Sequence, residues 1–331
     1  MTGDSGQAPA GPPHDGARHD RGNMGRSAAS DARSAPIPCL ATAGLLTEGP
    51  RWHAERGELL WVDILGAALH RGRPSVDGAL ELVQTITLDR HVGAVAPATR
   101  GGYVLAAGTG FLHVDDAGTV HELAQPEAGR SDVRMNDGAC DAHGRFWAGT
   151  MAYDESPGAG ALYRLELDGR CTTVLTGLTI SNGIGWSPDG ATMYLADSGA
   201  GRVDAFDFDP ITGDINRRRT IVAIEEPGVA PDGLTVDEDG GIWVALWGGG
   251  TVRRYGPDGA LLTTVPLPVE RPTSCAFGGP DRSTLFVTTA RHGLDAAALS
   301  RQPHAGRVFR IEGLPFRGAA CAPYSGRTVP S

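Results

Sequence analysis

The sequence contains no lysine; all 29 basic residues are arginine. That excludes a P-loop lysine, a Schiff-base lysine and a Ser–Lys dyad. Cysteine is scarce. Cys39, Cys140, Cys171, Cys275 and Cys321 are odd in number and form no Cys-x-x-Cys pair, a pattern that predicts reduced thiols in a cytoplasmic protein rather than a disulfide framework. No apolar run approaches the roughly 20 residues of a membrane span. Positive charge is in deficit: the net charge of −10 argues against a nucleic-acid partner, which calls for a basic face, and against an anionic membrane surface. Also missing are H-E-x-x-H, a G-x-S-x-G elbow and a G-x-G-x-x-G turn opening a helix, which removes the common zinc-protease, serine-hydrolase and dinucleotide-binding readings.

What the chain does have is glycine, 48 residues of it, and a repeat. Six stretches open alike: Glu48-Gly-Pro-Arg-Trp, His91-Val-Gly-Ala-Val, Asn136-Asp-Gly-Ala-Cys, Asn182-Gly-Ile-Gly-Trp, Asp232-Gly-Leu-Thr-Val and Thr273-Ser-Cys-Ala-Phe. They follow one another at intervals of 43, 45, 46, 50 and 41 residues. A period of about 40–50 residues, each unit built of short strands and glycine turns, is the pattern of a β-propeller. Within each block the reading is strand, tight turn, strand, loop, strand. In block four the turn Ser187-Pro-Asp-Gly190 leads into the alternating strand Thr192-Met-Tyr-Leu-Ala196, as Pro-Asp-Gly turn chemistry requires. The prediction is an all-β, six-bladed β-propeller over residues 37–326. Block six has little chain after Ile311 for a fourth strand, so the segment 36–42 is expected to close the ring as an N-terminal strand, leaving no open sheet edge. Residues 1–36 carry almost no large apolar side chain and no signal-peptide core, and read as a disordered tail in which Met24 offers a shorter start. Two loops, 153–160 and 292–306, fall between second and third strands, at the end of the propeller where first strands begin. The second contains an Ala-rich stretch, 294–299, expected to be helical.

Four of the six openings place a side-chain oxygen at one phase: Glu48, Asn136, Asn182 and Asp232. Equivalent positions of different blades face one axis, so oxygens distant in sequence are expected to meet. Asp-Gly alone is an ordinary β-turn signal, but a turn does not explain four oxygens at one phase. His91 and Thr273 occupy that phase in the other two blocks, so it is not generically acidic. Two carboxylates with one or two amide oxygens form a hard-oxygen set suited to one divalent ion, Ca²⁺, Mg²⁺ or Mn²⁺, and able to take Zn²⁺. Three protein ligands leave coordination positions for water and substrate.

The stretches Glu48-Gly-Pro-Arg-Trp, Arg134-Met-Asn-Asp-Gly138, Gly144-Arg-Phe-Trp-Ala-Gly-Thr-Met151, Ile180-Ser-Asn-Gly183, Pro231-Asp-Gly233 and Arg301-Gln-Pro-His-Ala-Gly306 resemble the SMP-30/gluconolactonase/LRE (regucalcin-like) family over roughly residues 40–324. The resemblance implies a six-bladed propeller and a metal-dependent hydrolase opening sugar lactones such as gluconolactone or a pentonolactone. It implies Glu48, Asn182 and Asp232 as metal ligands, Asp232 as the acid/base, and Arg134 and Asn136 as substrate contacts. A further acid usually follows Gly-Thr-Met; here the loop reads Ala152-Tyr-Asp-Glu155, which assigns substrate contact to Asp154, with Glu155 as the alternative. The expected partner is a small-molecule sugar lactone, and the expected state a cytoplasmic monomer or small homo-oligomer. Two other classes stand beside this reading. An aryl-ester lactonase or organophosphatase calls for an aromatic-lined pocket, against a chain only 6% aromatic. A non-enzymatic calcium-binding propeller does not call for Arg134 beside the oxygens.

Overall fold

In the computed structural model each repeat folds as an antiparallel four-stranded sheet, and six such sheets are present among the described residues. The structure describes residue 3 and residues 35–328; the expectation of a disordered tail over 1–36 falls, but for residues 3, 35 and 36, outside them. The innermost strands are Thr47–His53, Val92–Pro97, Val133–Cys140, Ser181–Trp186, Ala230–Val236 and Pro272–Gly278. Five blades run outward in chain order. The sixth is completed by the first strand of the fold: Ile37–Pro38 pairs with Phe309–Ile311, Ile37 opposite Arg310. The ring closes as the short sixth repeat required, and Cys39 N–H extends the joint by donating to Val308 O at 2.9 Å.

Six apolar clusters occupy the interfaces between adjacent blades, and they hold the ring together. Leu60, Val62, Val95 and Leu105 join blades one and two. Trp147, Leu162, Ile184 and Leu195 join three and four. Trp52, Trp61 and Phe286 join six and one around the closing segment. Both faces of an inner strand are therefore buried, which is why these strands read as continuous small and apolar runs. Two buried aspartates just past the ends of inner strands tie those strands to their neighbours in the blade. Asp141 accepts from Trp147 Nε1 at 2.9 Å and from Arg145 Nε at 2.6 Å; Asp237 accepts from Trp243 Nε1 at 2.8 Å and from Arg254 Nε at 2.6 Å. The Phe-Trp and Ile-Trp of the repeat are thus structural. After Ile311 the chain crosses the end where the inner strands finish. Tyr324, fully buried, donates its hydroxyl to Glu166 O at 2.9 Å, and its N–H donates to Pro97 O at 2.8 Å. The helix in the sixth blade is Ala296–Arg301, capped by Asp295, two residues later than the Ala-rich stretch suggested.

All six pairings of first with second strand contain a register shift at the same place: Glu48/Arg51, Val92/Ala94, Met135/Gly138, Ser181/Ile184, Pro231/Leu234 and Pro272/Ser274. A bulge re-aims the side chain at its start. The polar-Gly pairs Glu48-Gly49, Asn182-Gly183 and Asp232-Gly233 sit at these shifts, and their polar residues are turned to the axis.

Candidate functional site

Glu48, Arg134, Asn136, Asn182 and Asp232 line one cavity of about 470 Å³ at the end of the channel where inner strands begin. Each is only 5–7% exposed. The strands that carry them are fixed from behind. Asp63 accepts the N–H groups of Leu45 and Leu46 at 2.9 and 3.0 Å, three and two residues before Glu48. Asp197 accepts Ile180 N–H at 3.0 Å, two residues before Asn182. These aspartates end the second strands of their own blades, so one motif sets the entry angle of two site-bearing strands.

The side chains are oriented as well as gathered. Asn182 Nδ2 donates to Ser198 Oγ at 3.0 Å, and Ser198 Oγ donates to Pro231 O at 2.6 Å. That fixes the amide so that Asn182 Oδ1 is left free; it is buried and has no partner, and neither has Asp232 Oδ1. Glu48 Oε2 accepts only its neighbour's N–H, Gly49, at 2.8 Å. Burial pushes the Glu48 carboxyl well above its ordinary value, and the nearby charges of Asp232 and Asp137 add to the rise. Burial, then Asp137, does the same to Asp232. Buried oxygens without donors, packed against like charge, are costly unless a cation joins them. The set fits a hard divalent ion on this ground. Among the described residues no three His, Cys, Asp and Glu side chains form a metal-holding group; the cavity lining offers the Glu48 and Asp232 carboxylates with the Asn182 amide beside them.

Asn136 and Arg134 form a pair. Arg134 Nη1 donates to Asn136 Oδ1 at 2.6 Å and to Met135 O at 3.0 Å, while Asn136 Nδ2 donates to Ser181 O at 2.9 Å. Both ends of the Asn136 amide are thus engaged, unlike those of Asn182. Of the two remaining phase positions, Thr273 donates to Thr47 O at 2.6 Å and His91 packs edge-on against Tyr153; neither lines the cavity.

The assignment of Asp154 needs correction. Its carboxylate accepts Ser156 N–H at 3.0 Å in a local turn, and it does not line the cavity. Asp side chains favour such turns over reaching outward. The next residue, Glu155, adopts φ 57° and lines the cavity together with Tyr153. A second correction concerns the walls. Tyr153, Trp247, Leu46, Ile64, Leu65 and Ile180 all line the cavity, so low aromatic content in the whole chain did not carry over to the pocket.

Asp137 was not singled out from the sequence. Gly49, Gly183 and Gly233 follow the oxygen-bearing residues of blades one, four and five; Gly49 adopts φ 52°, and for the other two the channel leaves no room. A Cβ on Gly183 would overlap Leu234 N, and one on Gly233 would overlap the Ser274 side chain. Blade three puts Asp137 there instead. It is 2% exposed, faces Arg51 Nη2 at 3.5 Å, and its Oδ2 has no partner. The signal was in the repeat: an aspartate where blades one, four and five have glycine.

The SMP-30/Gluconolactonase/LRE-like region matches residues 46–291. Rabbit (Oryctolagus cuniculus) regucalcin is 42% identical over 84% of this chain and 94% of its own length. Among solved structures, the calcium-binding protein regucalcin of Agrobacterium tumefaciens superposes with a TM-score of 0.82 at 31% identity, covering 88% of this chain and 97% of that one. A luciferin-regenerating enzyme superposes with a TM-score of 0.80 at 30% identity, covering 88% and 100%. With the same phase residues, ring closure and axial oxygens already in view, the chain belongs to the SMP-30/gluconolactonase/LRE-like family.

Proposed function

We propose that this protein is a divalent-cation-dependent hydrolase that opens sugar lactones to aldonic acids. The observation that carries the reading is the pair of buried, partnerless oxygens Asn182 Oδ1 and Asp232 Oδ1 beside the Glu48 carboxylate. These three side chains would hold one ion, Ca²⁺, Mg²⁺, Mn²⁺ or Zn²⁺. When bound, such an ion polarises a carbonyl and lowers the pKa of a water.

The remaining chemistry falls to the chain. Hydrolysis joins a water oxygen to the lactone carbonyl carbon, breaks the bond from that carbon to the ring oxygen, and moves one proton from the water to the leaving oxygen. An Asp232 carboxylate oxygen takes that proton and returns it. Arg134, braced by Asn136, presents its remaining donors to vicinal hydroxyls. Glu155, rather than Asp154, accepts hydrogen bonds from them at the mouth. Burial of all five floor residues strengthens each of these interactions over their strength in water.

A panel of aldonolactones assayed by acid release, on protein stripped of metal and refilled with each ion, tests the proposal. Release only in the refilled samples is expected; no release with any ion sinks it. The aromatic and aliphatic wall favours a second reading, an aryl-ester lactonase or phosphotriesterase. Faster turnover of those esters than of every sugar lactone would establish it instead. Tight ion binding with no hydrolysis of any ester leaves a calcium-binding propeller.

A further inference from the structure

The cavity is two-sided, and the sides belong to different blades. In a ring of six, blade three stands opposite blade six, which blades one and five flank. Blade three contributes the polar groups Arg134, Tyr153 and Glu155, beside Met151 and the neighbouring Ile180. Blades one and five contribute Leu46, Ile64 and Leu65 on one side and Trp247 on the other. Leu46, Leu65 and Trp247 are only partly buried, so apolar surface of the folded chain remains open to the cavity. The Trp247 ring is backed by the Arg271 guanidinium, 4.9 Å from its centroid, and Arg271 is itself held by His292 O. A cation on one face of an indole steadies the ring and leaves the other face for a ligand. Polar groups near this wall are few. Ser198 Oγ is committed to Asn182 and Pro231, which leaves His292 at the blade-six edge.

Resting on the lactonase reading, we propose that the preferred substrate is an aldonolactone deoxygenated at the end remote from its carbonyl, with that methyl end on the Leu65–Trp247 wall. The floor oxygens lie on the axis and fix where the carbonyl sits. Blade three then reads the hydroxyls beside it, and the opposite edge of the molecule meets the wall of blades one and five. A terminal hydroxyl there loses its water and finds no partner among Leu46, Ile64 and Leu65. A terminal methyl loses nothing and gains burial.

Matched pairs isolate the effect: L-mannonolactone against its 6-deoxy counterpart, and L-galactonolactone against its own. The measurement is kcat/KM for each on the metal-loaded full chain. The 6-deoxy member of a pair should be preferred about 10-fold or more, the size expected when a pocket separates ligands differing by one small group. In Leu65→Asn, on the turn between the second and third strands of blade one, and in Trp247→Leu, the ratio within a pair should fall toward one. A wall that serves only folding would lower both members together and leave the ratio intact, so melting temperatures are read alongside. Parity, or preference for the fully hydroxylated lactone, in the wild type overturns the proposal, as does a deoxy preference that both variants retain. If no lactone is opened with any ion, the hydrolase reading falls separately. Calorimetric affinities for the same pair of aldonates then decide for the wall, and equal affinities overturn it.

Discussion

The same six inner strands run between two cavities, and the two ends differ in their acidic and amide groups. At the entry end Glu48, Asn136, Asn182 and Asp232 surround about 470 Å³. A few residues further along the same strands, Ala96, Pro97, Cys140, Trp186, Val236 and Ala276 line about 280 Å³, and no carboxylate is among the lining side chains. Arg51 is the charged residue there, and its guanidinium is spent on Pro50 O at 2.8 Å, Gly138 O at 2.7 Å and Asp137. The bulges sit between the two ends. Strand geometry alone treats both ends alike; what differs is that at the entry end four blades turn an oxygen-bearing side chain, Glu48, Asn136, Asn182 or Asp232, toward the channel at the bulge, while beyond it the lining is mostly small and apolar. A cavity becomes a site where oxygens are buried without partners, and only the entry end is built around such a set of acidic and amide oxygens.

The largest effect that would break this contrast is at Asp232. Asp232→Asn keeps an oxygen for an ion but cannot take a proton, so kcat on a sugar lactone should fall by about 10² or more. Titration calorimetry should still register ion binding. Turnover near that of wild type would remove Asp232 as the base.

Next in size is the response to the ion. A cation at 100 times its Kd adds about 2.7 kcal/mol of stability, a shift of several degrees in Tm for a chain of this size. Glu48→Gln should blunt the shift, whereas a substitution at the far end should not. An equal shift in Glu48→Gln would place the ion elsewhere.

Packing in the channel comes third. A Cβ on Gly93 would overlap the Asn136 carbonyl oxygen, so Gly93→Ala should cost about 1–3 kcal/mol by overpacking. Thermal melts read it, and an unchanged Tm would mean the inner strands are looser than the structure shows.

A pH series sharpens the electrostatic half of the comparison. In metal-free protein the folded-state pKa values of Glu48 and Asp232 lie above their ordinary 4.5 and 3.8. The folded state therefore holds more protons than the unfolded one. The stability this contributes is full below the ordinary values and is lost as pH rises through the raised ones. The difference in stability between Glu48→Gln and wild type should thus grow as pH rises toward neutrality without metal, and flatten once an ion is added. A difference that shrinks over the same range has the wrong sign. The smallest effect belongs to the far end: Cys321 is exposed, and Cys321→Ser should change stability by less than about 0.5 kcal/mol and leave lactone turnover alone. A loss of activity there would join the two ends functionally.

Much of this was legible in sequence because a propeller repeats. The interval between Glu48, His91, Asn136, Asn182, Asp232 and Thr273 sets blade number, and the oxygen-bearing members of the shared phase are the ones that line the cavity. The shortage of chain after Ile311 called for closure by an earlier segment, and Ile37–Pro38 supplies it. These are local facts of strand length and turn chemistry, so a sequence carries them. Three things were decided only by the assembled ring. Asp154 and Glu155 are adjacent and chemically alike, and a single turn at φ 57° chose between them. Asp137 looks like half of an Asp-Gly turn until the channel shows that its counterparts Gly183 and Gly233 have no room for a side chain. The apolar wall joins Leu65 to Trp247 across 182 residues, and no composition or period along the chain predicts which residues of different blades share one surface, because that depends on loop direction and on packing between blades.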